Sequence, residues 1–307
     1  MRRASASKTK SSLRRKQPDL MALSEELKKR FGKVKLIALD LDGTTLTDDK
    51  RITQEVSDSI RRVKDAGYVI TFVTGRMFGA TAPFARALNL DIPVVCMNGT
   101  LIADAITGKI LYEQTLTKEC VKQVLNNVNG AAVHQFVYEG DNICHRVEDP
   151  DILKYLEWWA VNLKKVDEFS LQKYKKIYQL IFIGELTTLK KIALDLNAQT
   201  DCDIATFSYP SPRYPLHFLE IKSPGDSKGG GLRFLRDHYG FSKEETLAVG
   251  DYANDFELLE EAGVPVAIAN AMDELKQKAD YITELSNEEG GVAQLLDLIL
   301  QCGVKNR

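Results

Sequence analysis

The strongest constraint on this chain is a repeated local pattern: a short apolar run, a loop opening on a polar or acidic residue, then apolar residues at helical spacing. Lys35 to Leu39 ends at Asp40. In Thr53 to Ala66, Val56, Ile60 and Val63 recur on one helical face, with Thr53 placed to cap the start and Gly67 to close the end. Tyr68 to Val73 ends at Thr74-Gly75-Arg76 before a helix to about Leu88, and Pro93 to Met97 ends at Asn98-Gly99. The pattern resumes with a helix at Leu232 to His238, a strand at Thr246 to Val249 ending in Gly250-Asp251, a helix at Asp255 to Ala262 and a strand at Val264 to Ala269. Apolar strands alternating with helices predict a parallel sheet covered on both faces, an α/β doubly wound, Rossmann-like core.

Between these halves the pattern changes. Strand-like Ala131 to Tyr138 and Asn142 to Val147 precede helix-like Ile152 to Leu163. Strand-like Ile177 to Ile183, helix-like Thr188 to Asn197 and strand-like Asp203 to Ser208 follow. Hairpins mixed with helices predict an open antiparallel sheet with helices on one face, inserted as an α+β domain. With 307 residues the chain has room for two domains. The expected division is a core of 34–115 plus 217–307 and an inserted domain of 116–216.

Charge separates a third region. Met1 to Lys33 carries 11 basic and 3 acidic residues, which leaves the remainder at −10 of the net −2. An acidic body argues against nucleic acid as its partner, because affinity for phosphate backbones comes from Lys and Arg. The first residues lack the apolar content to repay ordering, so 1–33 is read as a disordered basic tail plus a short helix at Met21 to Arg30, its own partner unknown. Arg- and Ser-rich composition is also that of organellar transit peptides, so a cytoplasmic reading leaves import open. No apolar run is long enough for a membrane span. Cys96, Cys120, Cys144, Cys202 and Cys302 show neither a disulfide framework nor zinc-ligand spacing, which suits a reducing compartment.

In an open parallel sheet, ligands bind beyond the C-terminal strand ends. Asp40, Asp42, Asp251 and Asp255 all fall at such ends. Carboxylates that close raise one another's pKa unless a cation offsets them, and an all-oxygen set favours Mg²⁺ with a substrate phosphate. Asp40 is placed to act as a nucleophile, Asp42 to handle protons, and Thr74 and Lys228 to steady phosphoryl oxygens. Lys228 precedes a helix whose N-terminus favours the same anion.

These residues, in this order, resemble the haloacid dehalogenase superfamily. Asp40-Leu41-Asp42-Gly43-Thr44 is similar to its first motif, Thr74 to its second, Lys228 to its third, and Gly250-Asp251-Tyr252-Ala253-Asn254-Asp255 to its fourth. The long insertion after Arg76, with Asn98-Gly99, Ser227-Lys228-Gly229 and Glu289-Gly290-Gly291, resembles the Cof-type subfamily with a type IIB cap. The resemblance implies a Mg²⁺-dependent phosphatase working through an aspartyl-phosphate on Asp40, with Asp42 as general acid and base. It implies a metal held by Asp40, the Asp42 carbonyl and Asp251, with Asp255 as a further ligand or a partner behind them. The expected substrate is a small phosphorylated metabolite, a sugar phosphate first, over which the cap closes.

Other readings stay open at this stage. Gly75, Arg76 and Asn98 are candidate substrate contacts, although Asn98 also suits a turn and Arg76 an ion pair. Arg213 is the cap residue best suited to an anion. His134 and His145 read as sheet residues, and Trp158-Trp159 as packing within a helix. The rivals to hydrolysis are a phosphomutase or phosphotransferase on the same fold, and a phosphometabolite-sensing binding protein.

Overall fold

The apolar runs that form the parallel sheet are at most five residues long, so each of its strands is short and the first loop residue lies directly over the sheet edge. The computed structural model describes residues 23–157, 159, 162–169, 172–209 and 216–304. In chain order come α1 (Glu25–Phe31), β1 (Leu36–Leu39), α2 (Gln54–Asp65), β2 (Val69–Phe72), α3 (Phe78–Ala87), β3 (Val94–Cys96), β4 (Leu101–Ala103) and β5 (Ile110–Glu113). The inserted part holds α4 (Lys118–Asn127), β6 (Val133–Glu139), β7 (Asn142–His145), α5 (Pro150–Leu156), β8 (Asn162–Lys165), β9 (Ile177–Gly184), α6 (Leu186–Asn197), β10 (Asp203–Tyr209) and β11 (Leu216–Lys222). The chain then returns through α7 (Lys228–Tyr239), β12 (Thr246–Gly250), α8 (Phe256–Glu260), β13 (Val264–Ala267), α9 (Asp273–Lys276), β14 (Tyr281–Ile282) and α10 (Gly291–Val304).

The main sheet is parallel in the order β14-β13-β12-β1-β2. Strands leave β1 in both directions, to β2 on one side and β12 on the other, which opens a crevice above the ends of β1 and β12. Register sets Leu39 opposite both Val249 and Phe72. Asp40 therefore emerges beside Gly250-Asp251. Ile37 and Leu39 face the helices on one side, while Leu36 and Ala38 face α7 and α8 on the other, so β1 is buried throughout. Fully burying such side chains stabilises by about 1.5–3 kcal/mol each.

Beyond β2 the sheet is joined by a single bridge, Val73 to Val95, to an antiparallel ribbon of β3, β4 and β5. The sequence pattern placed β3 but not this hairpin, whose strands are three and four residues long. The inserted sheet runs β10-β11-β9-β6-β7-β8, antiparallel except between β7 and β8. On β9, Leu180 and Phe182 pack with Val121, Val124, Leu189 and Ile192 of α4 and α6, whereas Ile181 and Ile183 join the cluster that continues into the core. One face of the inserted sheet therefore carries α4 and α6, and the other, joined by Ile152 and Leu156 of α5, lies over the core.

Several expectations differ from the fold. Residues 217–222, assigned to the core, form most of β11 and belong to the inserted sheet, because the run Leu216, Phe218, Leu219 and Ile221 is buried on both faces. The helix expected over Ile152 to Leu163 stops at Leu156, and Asn162–Lys165 instead pairs with β7. The short helix assigned to the tail is α1, capped by Ser24, and its fully buried Phe31 meets Tyr281 edge-on at 5.8 Å. It is thus packed onto the core, while residues 1–22 of the tail lie outside the described residues. Cys120 and Cys202, for which no disulfide was expected, form one where α4 passes the turn leading into β10. No helix among the described residues is long and apolar enough to cross a membrane.

Candidate active site

Asp40 is the first residue after β1, and its N–H still donates to Val249 O at 3.1 Å. The chain then turns sharply, with the N–H groups of Thr45 and Leu46 donating to Leu41 O at 3.0 and 2.8 Å. The turn needs Gly43, which has φ +77° and sits so close to Asp251 that a Cβ there would fall 2.3 Å from Oδ2. Asp251 follows β12, and a one-turn 3-10 segment, Ala253–Asp255, brings Asp255 back beneath it. Asp255 Oδ2 accepts from the N–H groups of Asp251 (2.9 Å) and Tyr252 (3.2 Å), while the Thr44 hydroxyl donates to Asp251 Oδ1 at 3.1 Å.

Lys228 enters from a third element. It opens α7, where Ser227 Oγ caps Gly230 N at 3.0 Å, and a Cβ on Gly231 would lie 2.4 Å from Val95 Cγ1. Its Nζ donates to Asp40 Oδ1 at 2.6 Å and Asp255 Oδ1 at 2.7 Å, and it is only 2% exposed. Asp40, Asp251 and Asp255 each present an oxygen within 4.8 Å of the others. Burial, with Asp255 and Asp42 nearby, outweighs the pull of Lys228 and pushes Asp40 up to about 7. Burial and the charges of Asp40 and Asp255 raise Asp251 well above the usual carboxylate range. One lysine does not neutralise three buried carboxylates, and the hard oxygen donors are those of a divalent cation. Asp40 and Asp251 fit such an ion best, since both oxygens of Asp255 already accept from Lys228 and the backbone.

Asp42 points elsewhere. Arg76 grips it with two bonds, Nε to Oδ2 at 2.6 Å and Nη2 to Oδ1 at 2.7 Å, and Lys50 Nζ lies 2.9 Å from Oδ1. Burial pushes Asp42 up, but these cations hold it below its ordinary pKa. Arg76, a candidate substrate contact, thus spends its fork on Asp42 and rests over Phe84 at 5.6 Å. Thr74 is buried on the wall of the crevice, and its Oγ1 accepts from Arg76 N at 3.2 Å. Gly75 lies against Asn98. Asn98 adopts the left-handed conformation (φ 53°) and links the two sheets, donating to Glu220 Oε1 on β11 at 3.1 Å and accepting from Asn254 Nδ2 at 3.0 Å. Arg213 lies outside the described residues.

These side chains enclose a cavity of about 270 Å³ that includes Asp40, Asp42, Thr74, Arg76, Lys228 and Asp251. Sequence reasoning missed several participants. Lys50, Trp159 and Tyr252 line the cavity, and Asn270 holds the loop after Asp42 by donating to Gly43 O at 2.7 Å. Tyr252 stood within the fourth motif, but Lys50 and Asn270 carried no local signal. His145 sits on β7 beside Phe136, and His217 pairs with Ser208 at 2.6 Å, both away from the cavity.

A parallel sheet with an α+β insertion over a carboxylate cluster at its switch point defines a capped α/β hydrolase. The sequence profile of haloacid dehalogenase-like hydrolases matches residues 37–296, and the chain belongs to that family, with a Cof-type, type IIB cap. It is 31% identical over 267 residues to 5-amino-6-(5-phospho-D-ribitylamino)uracil phosphatase YitU of Bacillus subtilis, covering 85% of this chain and 96% of that one. Pyridoxal phosphate phosphatase YbhA of Escherichia coli is 28% identical over 274 residues, covering 85% and 97%. The crystal structure of a haloacid dehalogenase-like hydrolase from Bacteroides thetaiotaomicron superposes with a TM-score of 0.75 at 27% identity, covering 87% of this chain and 99% of that one. The protein is accordingly a phosphatase of this family.

Proposed function

We propose that the protein hydrolyses small phosphomonoesters with Mg²⁺ through an aspartyl-phosphate on Asp40. The observation that carries this reading is the convergence of Asp40, Asp251 and Asp255, beyond adjacent strand ends, with Lys228 at the start of α7, beside a cavity of about 270 Å³ beneath the cap. The relatives named as phosphatases of a ribitylaminouracil phosphate and of pyridoxal phosphate support a metabolite-sized substrate.

In the first step an Asp40 carboxylate oxygen attacks phosphorus, the ester P–O bond breaks, and Asp42 gives a proton to the departing oxygen. In the second, water attacks the acyl phosphate, Asp42 takes its proton, and phosphate leaves. Arg76 and Lys50 stabilise the ionised form of Asp42 and so favour the second step, in which it acts as base. Lys228 and Thr74 meet the phosphoryl oxygens, and the helix N-terminus behind Lys228 adds to the field. Asp40, the Asp42 carbonyl and Asp251 would hold Mg²⁺, with Asp255 orienting the Asp251 backbone through its N–H. When bound, the ion would supply charge neutralisation for the phosphoryl group.

The test is phosphate release from a panel of monoesters with and without Mg²⁺, beside Asp40→Asn. Release that requires both the metal and Asp40 is expected. Hydrolysis that survives Asp40→Asn refutes the covalent route, and isomerised product without phosphate release points to a mutase.

A further inference from the structure

The cap wall of the cavity carries an unexpected residue. Trp159 follows the end of α5 rather than continuing it, and its backbone O accepts from Met77 N, at the start of α3, at 3.2 Å. This bond ties the loop to the core and sets Trp159 on the wall of the same cavity as Asp40 and Arg76. Among the described residues, it is the cap's contribution to that lining. A second ring, that of Tyr252, borders the cavity from the core side, and its hydroxyl donates to Ser208 O of β10 at 2.6 Å. Both residues are thus tied by hydrogen bonds that cross between core and cap, Trp159 through its backbone O and Tyr252 through its hydroxyl.

The polar groups of the wall are largely engaged with one another. Arg76 and Lys50 hold Asp42, Lys228 holds Asp40 and Asp255, and Asn254 donates to Asn98. A leaving group rich in hydroxyls would surrender its water here for few partners, and each unmet hydroxyl is costly. A flat unsaturated ring makes no such demand and gains from aromatic faces. We propose that Trp159, with Tyr252 on the core side of the same cavity, is a specificity-determining platform that selects phosphomonoesters whose leaving group carries a flat aromatic or heteroaromatic ring. The proposal rests on the phosphatase reading of the same site and narrows its substrate class away from sugar phosphates.

The test compares benzyl phosphate with cyclohexylmethyl phosphate, which differ in the flatness of the ring while both leave as primary alcohols, and adds glucose 6-phosphate. The wild-type enzyme is expected to show a higher kcat/KM for the benzyl ester than for either other ester. Trp159→Leu should lower the benzyl-to-cyclohexylmethyl ratio about tenfold, as expected for loss of one stacking contact, and Trp159→Phe should retain most of it. Binding of benzyl phosphate to Asp40→Asn, with and without Trp159→Leu, gives a readout independent of turnover and should weaken by a similar factor. Preference for glucose 6-phosphate, or a ratio unchanged by Trp159→Leu, overturns the proposal while leaving the phosphatase reading in place. Failure to release phosphate from any ester overturns both.

Discussion

Lys228→Met removes the cation that Asp40 and Asp255 share while keeping similar volume in its site, so the change is chiefly electrostatic. Both pairs are almost wholly buried, at 2.6 and 2.7 Å, and taking away one partner of a buried pair costs about 3–5 kcal/mol. The loss depends on pH. Without the lysine, burial raises Asp40 and Asp251 further, so the folded variant holds protons near neutrality that the unfolded chain, with Asp near 3.9, has released. Stability therefore falls as pH rises, by about 1.4 kcal/mol per unit for each such proton. In the wild type the corresponding loss from Asp40 ends near its value of about 7. In the variant it continues above that pH, so the gap between the two proteins widens from pH 6 to pH 8. Equilibrium urea unfolding in the presence of a chelator, followed by tryptophan fluorescence at pH 6, 7 and 8, measures it. A variant within about 1 kcal/mol of wild type at pH 8, or a gap that does not widen, refutes the reasoning.

Three further outcomes follow from the same geometry. Raised Asp40 and Asp251 must lose protons as a metal enters, so Mg²⁺ affinity should climb with pH below about 7, up to tenfold per unit for each proton released; calorimetry showing an affinity flat from pH 6 to 8 counts against this. Gly43→Ala forces a Cβ to 2.3 Å from Asp251 Oδ2 at a positive φ, a backbone cost of about 1–2 kcal/mol before any displacement. It should weaken Mg²⁺ binding at least about tenfold, and unaltered binding would contradict the fit. Arg76→Ala deletes both bonds to Asp42 and frees its pKa to rise, so the acid limb of the kcat profile should move to higher pH. An unmoved limb assigns Arg76 no part in that titration.

Much of the site was legible because strand ends are local signals. Asp40, Thr74 and Asp251 each end an apolar run, and a parallel sheet delivers all such ends to one edge, so order along the chain became proximity in space. What escaped depends on long-range partners. Glu220 reads as a surface acid within an apolar strand, yet alternation turns it to the core side of β11, where Asn98 meets it. Asn270 gains meaning only through Gly43, far away in the chain. Trp159 continued the apolar spacing of α5, and nothing local showed that the helix would end three residues earlier. The β4–β5 hairpin was hidden by brevity, since three- and four-residue strands give too few alternations to register.

The pairing of β1 with β12 sets a timetable for synthesis. Leu36 reaches its partner Thr246 only after the inserted sheet has been made. Until then β1 and β2 stand as a parallel pair whose inner edge is open. At about 5–20 residues per second, that edge waits roughly 10–35 s on the ribosome for the strand that closes it. For most of that interval Lys228 has not been made, and Asp251 comes only after it, so the candidate site is among the last parts of the molecule to come into being.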